Sequence, residues 1–147
     1  MTDVLIKQGA KDWVNHANEL FNSQLINDTG AVYDTVQGLN GFSGKNMVYR
    51  VVTLPTGLKM IYFSGWIDNM PTVPKNSRVD AFKIPVEYNT SGYTVNESQV
   101  IDGHFKVLEH KLSYTPNTGA ISFTNPYDYD VSNFNCGLSL TAVQVGL

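Results

Sequence analysis

Three histidines, His16, His104 and His110, are the side chains of this sequence that titrate near neutral pH when unperturbed. His104 and His110 are six residues apart, so a regular strand places them on one face but roughly 20 Å from each other. One metal ion does not bridge that gap, which leaves copies of either residue meeting at a threefold axis as the route to a metal site. Read singly, each is a solvated or hydrogen-bonded histidine. Asp128 and Asp130 have a spacing that can ligate calcium, but the glycine and terminal glutamate of an EF-hand loop are missing. Glu87, Glu97, Asp102 and Glu109 supply carboxylates enough for glycoside hydrolysis, which needs two that converge, and nothing singles out a pair. No nucleophile elbow marks a Ser, His and Asp set. Gly41-Phe42-Ser43-Gly44-Lys45 lacks the spacing of a phosphate-binding loop, and no Ser or Thr follows its lysine. No catalytic residue, metal or cofactor is expected.

Binding has better support. Tyr127 and Tyr129 share one loop with Asn125, Asp128, Asn133 and Asn135, a set of flat aromatic faces, amides and a carboxylate of the type that holds sugar rings and hydroxyls. The alternative is that the tyrosines lean back and fill the end of the fold. Charged residues make up 16% of the chain against a usual ~25%, so the surface is neutral and polar. Tyr, Ser, Gly and Asn form adaptable contacts in paratopes, and the same residues also serve turns.

The elements that position these residues are mostly strands. Met47–Leu54 and Leu58–Ile67 are β-branched and aromatic runs about Pro55-Thr56-Gly57, the pattern of a β-hairpin. With period two, Leu58, Met60, Tyr62 and Trp66 share one face and Ile61, Phe63 and Ile67 the other. Both faces are apolar, which predicts a cover for the second one, from the chain's own helix or loops or from another subunit. Val79–Pro85 reads as a third strand. Ala31–Val36, Tyr93–Val95 and Gln99–Ile101 read as short ones, and Gly38–Asn46 as a hairpin loop. His104–Thr115 reads as a long strand whose apolar phase switches between Val107 and Leu108, the mark of a bulge, a bend or burial on both faces. Pro116–Gly119 is a turn, Ile121–Thr124 its returning strand, Asn125–Asn135 an irregular loop and Cys136–Val145 the last strand. Ala10–Leu25 has helical spacing, with Trp13, Ala17, Leu20, Phe21 and Gln24 on one face. The expected fold is mainly β: an antiparallel β-sandwich or flattened barrel at 28–147, preceded by a short helical segment at 1–27.

The length of 147 residues fits this reading of one domain. A net charge of −3 without a Lys/Arg cluster argues against nucleic acid. The lone Cys136 excludes an internal disulfide framework and reads as a small buried residue. No apolar run reaches the ~20 residues of a membrane span, and no apolar core follows Lys7 and Lys11, so cytoplasmic synthesis is expected and Asn27-Asp28-Thr29, Asn89-Thr90-Ser91 and Asn96-Glu97-Ser98 are not expected to carry glycans.

Asp28-Thr29-Gly30, Tyr49-Arg50, the strand from Gly57 to Gly65, Phe82-Lys83-Ile84-Pro85 and Gly119-Ala120-Ile121 follow one another in an order that resembles tail, baseplate and fibre-tip proteins of tailed bacteriophages infecting Gram-positive hosts. The resemblance spans residues 28 to 145. It implies a β-rich, homotrimeric virion component at the adsorption end of the tail, which recognises cell-wall saccharide or holds the other tail and baseplate proteins that do. In such a trimer the helix, through Trp13 and Leu20, and the outer hairpin face, through Tyr62 and Trp66, are the expected contacts. Two other functions stand beside adhesion: a structural or assembly protein without glycan affinity, and a small wall-glycan hydrolase.

Overall fold

The paired apolar runs at the centre of the chain form β3 (Lys45–Thr53) and β4 (Lys59–Ile67), joined by a turn in which Gly57 takes φ +89° and donates its N–H to the Leu54 carbonyl. The computed structural model describes residues 13–88 and 93–146. Around the hairpin a six-stranded sheet is built from β1 (Asn27–Asp28), β3, β4, β10 (Cys136–Gly146), β6 (Tyr93–Asp102) and β7 (Val107–Leu108), in that spatial order. A four-stranded sheet is ordered β2 (Gln37–Gly38), β5 (Ser77–Lys83), β9 (Ala120–Asn125), β8 (Lys111–Thr115). All pairings are antiparallel. Neither sheet closes on itself, so of the two expected architectures the sandwich is the one adopted.

Four phenylalanines hold the two sheets together. Phe63 comes from β4, Phe82 from β5, Phe123 from β9 and Phe42 from the connection between β2 and β3, and all are buried. Phe82 lies 5.7 Å from Phe63 across the sandwich and 5.9 Å from Phe42, which also stands 6.0 Å from Phe123. Each such ring removed from water stabilises the fold by roughly 1.5–3 kcal/mol, and edge-on pairs add a smaller increment. Tyr49, Val51, Ile61 and Ile67 complete the inner face of the hairpin. Met47 fills the space left by Gly44 and Gly65, where any β-carbon would overlap its side chain.

Several elements differ from the sequence expectation. Ala31–Val36 is not a strand: after Gly30, at φ +66°, only Val32 bridges Tyr49 before the chain crosses to the small sheet. The segment from Gly38 to Asn46 is not a hairpin loop but the return crossing between sheets, and Phe42 drops from it into the core. Tyr93–Val95 and Gln99–Ile101 belong to one continuous β6, held along its length by β10. His104–Thr115 divides into β7 in the large sheet and β8 in the small one, so the apolar phase switch marks a strand that changes sheets.

Helix α1 (Trp13–Gln24) precedes the sandwich, and its expected start at Ala10 lies outside the described residues. Among the described residues no strand packs extensively against it, and Val14, Leu20 and Phe21 are exposed, so its described part does not roof the outer hairpin face. Trp13 is its first described residue.

Where β6 and β8 meet at the edge of the sandwich, side chains replace a backbone ladder. Ser98 Oγ accepts from the Leu112 N–H at 2.9 Å, and Asn96 Oδ1 accepts from the Tyr114 N–H at 3.0 Å. These bonds quench donors that an edge strand otherwise presents to other chains. Asn96→Ala strips the partner from the Tyr114 amide, and urea denaturation is expected to show a loss of about 1 kcal/mol with an unchanged slope.

Candidate functional site

Side chains that alternate away from the phenylalanine core emerge on the outer face of the six-stranded sheet, and the register sorts them into rows. Val52, Met60, Val143 and Val95 lie side by side across β3, β4, β10 and β6. Arg50, Tyr62, Thr141 and Glu97 form the next row, and Val48, Ser64, Ser139 and Gln99 the one after. Trp66, Gly137 and Ile101 complete the series. The serine row is the low line of the face, with larger side chains on either side.

Two shallow grooves open there and share Ser64 and Ser139 in their lining. The first, about 430 Å³, runs between Trp66 and Phe105, with Gln99 and Asn46 beside the serines. The second, about 370 Å³, runs between Tyr62 and Tyr33, with Arg50 at its side. Both volumes fall in the range of small-molecule sites, roughly 300–1,000 Å³. Neither groove is lined by an aspartate or a glutamate.

The walls are held from beneath. Trp66 donates its indole N–H to Asp68 Oδ1 at 2.9 Å, and Asp68 is in turn paired with Lys45. Those two contacts, the Lys45 bond first and the Trp66 bond second, keep the Asp68 carboxyl below its ordinary pKa. The indole can lean over β10 because Gly137 lies there: a β-carbon at that position would stand 2.9 Å from Ile101 Cγ1 and 3.1 Å from Trp66 Cε3. Arg50 donates from Nε to Asp28 Oδ1 at 2.8 Å and from its terminal nitrogen to the other oxygen, a two-pronged grip that brings the Asp28 pKa down to about 2. Arg50 therefore faces the second groove as a neutralised pair.

The tyrosine loop, residues 126–135, is a separate feature. Tyr127 and Tyr129 stack on each other, ring centroids 5.1 Å apart and 11° from parallel, so each spends one face on the other. Tyr129 is exposed and Tyr127 half-buried. Asn125, expected among the sugar-binding residues, is 0% exposed. Its amide nitrogen donates to the carbonyls of Val73, Pro74 and Tyr129, and its oxygen accepts from the Tyr127 N–H. Its donors are spent on shaping the loop, and its burial closes the amide to a ligand. Asp128 and Asn133 are exposed. Asn133 sits at φ +55° with its N–H on the Met70 carbonyl. Asp130 accepts from the Lys75 N–H at 2.9 Å, a loop-closing role.

The histidines do not come together. His104 is exposed in the β6–β7 turn, and His110 is 3% exposed. His110 packs at 4.9 Å on Phe123 and 5.6 Å on Phe134, with Tyr127 edge-on at 5.0 Å. Neither of its ring nitrogens has a hydrogen-bond partner. Burial pushes its pKa down against the smaller opposing pull of Glu109. Among the described residues no group of three or more His, Cys, Asp or Glu side chains is placed to hold a metal ion, and no helix is long and apolar enough to cross a membrane.

Tyr62 and Trp66, expected at a subunit interface, therefore stand in the outer grooves, while Leu20 is carried by α1. Sequence reasoning missed Phe105, Tyr33 and the serine row. The signal for Phe105 was the Asp102-Gly103 dipeptide, a strong hairpin-turn mark between apolar residues. No family model, curated protein or solved structure matches the chain.

Below its ordinary pKa of about 6.5, an unfolded His110 takes up a proton that the buried, folded one refuses. Stability is thus flat above that value and falls as pH drops from it towards the lowered folded pKa. Comparing denaturation midpoints at pH 7.5 and pH 5, the His110→Phe variant is expected to lose less on acidification than the wild type. An identical loss in both would show that the ring takes up its proton in the folded state.

Proposed function

We propose that the protein is a non-catalytic saccharide-binding module and that, as the order of its motifs suggests, it serves in a virion at the adsorption end of a phage tail, recognising host cell-wall saccharide. The observation that carries the binding reading is the outer face of the large sheet. There Trp66, Phe105, Tyr62 and Tyr33 border a continuous low line through Ser64 and Ser139. A sugar ring is amphipathic, with C–H faces that suit aromatic rings and hydroxyls that suit serine and amide groups, and this face offers both at close quarters. A surface low in charge supports the same reading. Grooves without a carboxylate give hydrolysis no acid and no nucleophile, which supports binding over cleavage.

The homotrimer implied by the tail resemblance is proposed to form through α1. Val14, Leu20 and Phe21 are exposed on a short helix of a length that is marginal alone. That assignment leaves Tyr62 and Trp66 for the ligand.

Pull-down on Gram-positive cell walls tests the binding reading. Wild-type protein is expected to be retained without releasing reducing sugar, and Trp66→Ala combined with Tyr62→Ala is expected to cut retention about tenfold or more, a loss of at least ~1.4 kcal/mol. Tyr129→Ala leaves retention unchanged. The reverse pattern would move the site to the tyrosine loop, and no retention of the wild type would remove the reading. Light scattering on the purified protein is expected to give three times the 16.3 kDa chain mass. Leu20→Glu with Phe21→Glu should return it to one.

A further inference from the structure

Six non-glycine residues among those described have positive φ, and five of them are asparagines, the residue type that tolerates this conformation most readily. The sixth is Phe105, at φ +62°. It lies in the β6–β7 turn two residues after Gly103, which does not have positive φ although glycine would adopt it without strain. The turn thus places its glycine in ordinary backbone and its phenylalanine in the left-handed region.

The conformation is firmly determined. Asp102 Oδ1 accepts from the His104 N–H at 2.8 Å and the Lys106 N–H at 2.9 Å, while the Asp102 carbonyl accepts from the Phe105 N–H at 3.0 Å. The Asp102 N–H closes the turn on the Lys106 carbonyl at 2.9 Å. Burial does not explain the arrangement, because Phe105 is 79% exposed. What the conformation achieves is to bring the ring to the groove that Trp66 borders from the other side. Strained backbone at an exposed aromatic is a mark of a preorganised ligand contact.

Resting on the saccharide-binding reading, we propose that Phe105 and Trp66 form the two aromatic walls of one sugar subsite and that this subsite takes an uncharged sugar. The groove lining contains no ionisable side chain, and its polar members are Ser64, Ser139, Gln99 and Asn46. Of the charges around it, Lys45 and Asp68 are satisfied by each other, and His104 and Lys106, which flank Phe105 in the turn, are exposed and outside the lining. An anionic sugar entering this groove would leave its water shell for a lining with no countercharge, whereas a neutral ring loses only hydroxyl hydration that the serines and amides restore.

The test uses the full chain and two probes, the neutral and the acidic polysaccharide fractions released from Gram-positive cell walls and separated by anion exchange, each immobilised for biolayer interferometry. Wild type is expected to bind the neutral fraction. Phe105→Gly and Phe105→Asn are expected to lose about tenfold or more in affinity and to melt at the same temperature as wild type or roughly 2–4 °C higher, since both relieve the strained φ. Phe105→Tyr keeps the ring and the binding. If Trp66→Ala abolishes binding while Phe105→Gly and Phe105→Asn bind like wild type, the ring has no ligand role and the proposal is wrong while the saccharide reading stands. Binding confined to the acidic fraction also overturns it. Failure of the wild type on both fractions overturns the saccharide reading and this subsite together.

Discussion

The contact of Phe82 with Phe63 across the sandwich, backed by Phe42 and Phe123, is the constraint from which the rest of the molecule follows. Strands alternate with period two, so fixing Phe63 inward fixes Ile61 and Ile67 inward as well and commits Met60, Tyr62, Ser64 and Trp66 to the opposite face. The same argument passes through the β4–β10 register to Leu138 and Leu140 inside and to Gly137 and Ser139 outside. A slip of one residue would exchange the core with the groove. The Phe42 ring, delivered by the crossing from β2, secures one end of this register, and Met47 beneath Gly44 and Gly65 secures the neighbouring stretch.

With the inner face settled, the outer face takes no part in packing the two sheets of the chain against each other. Val52, Met60 and Val143 are partly sheltered by one another along their row while Val95 at its end is exposed, so a wide sheet hides part of its own outer apolar surface without a lid. This weakens the argument that two apolar faces demand a second subunit over the hairpin. The groove end differs, since Trp66 is tethered through Asp68 and seated over a glycine.

The fold class, the central hairpin and the last strand were legible because each rests on local alternation or turn chemistry. What the sequence concealed were sheet changes. Nothing local distinguishes the crossing at Gly38–Asn46 from a hairpin loop, because the destination of Phe42 depends on where β5 and β9 lie. The break between β7 and β8 left a trace in the phase of Val107 and Leu108, but a phase switch alone does not say that the strand leaves its sheet. The role of Asn125 was hidden for a related reason. Asn125 looks like a ligand-binding amide until its three carbonyl partners, two adjacent ones from a distant segment and one from its own loop, converge on it.

Cross-strand neighbours build the candidate site, and they are invisible to any reading along the chain. Trp66 and Gly137 are 71 positions apart yet directly paired, and the glycine matters only because of the indole beside it. Ser64 and Ser139 are paired in the same way, and together they make a low line that neither announces alone. A small residue on one strand opposite a small residue on the next, bordered by aromatics one row away, leaves surface that the sheet has not filled. In a core such a gap costs stability, whereas on an outer face it costs little and stays open to a ligand. A binding site on a sandwich is therefore cheapest to build here, on the face that the phenylalanine core has already excluded from folding.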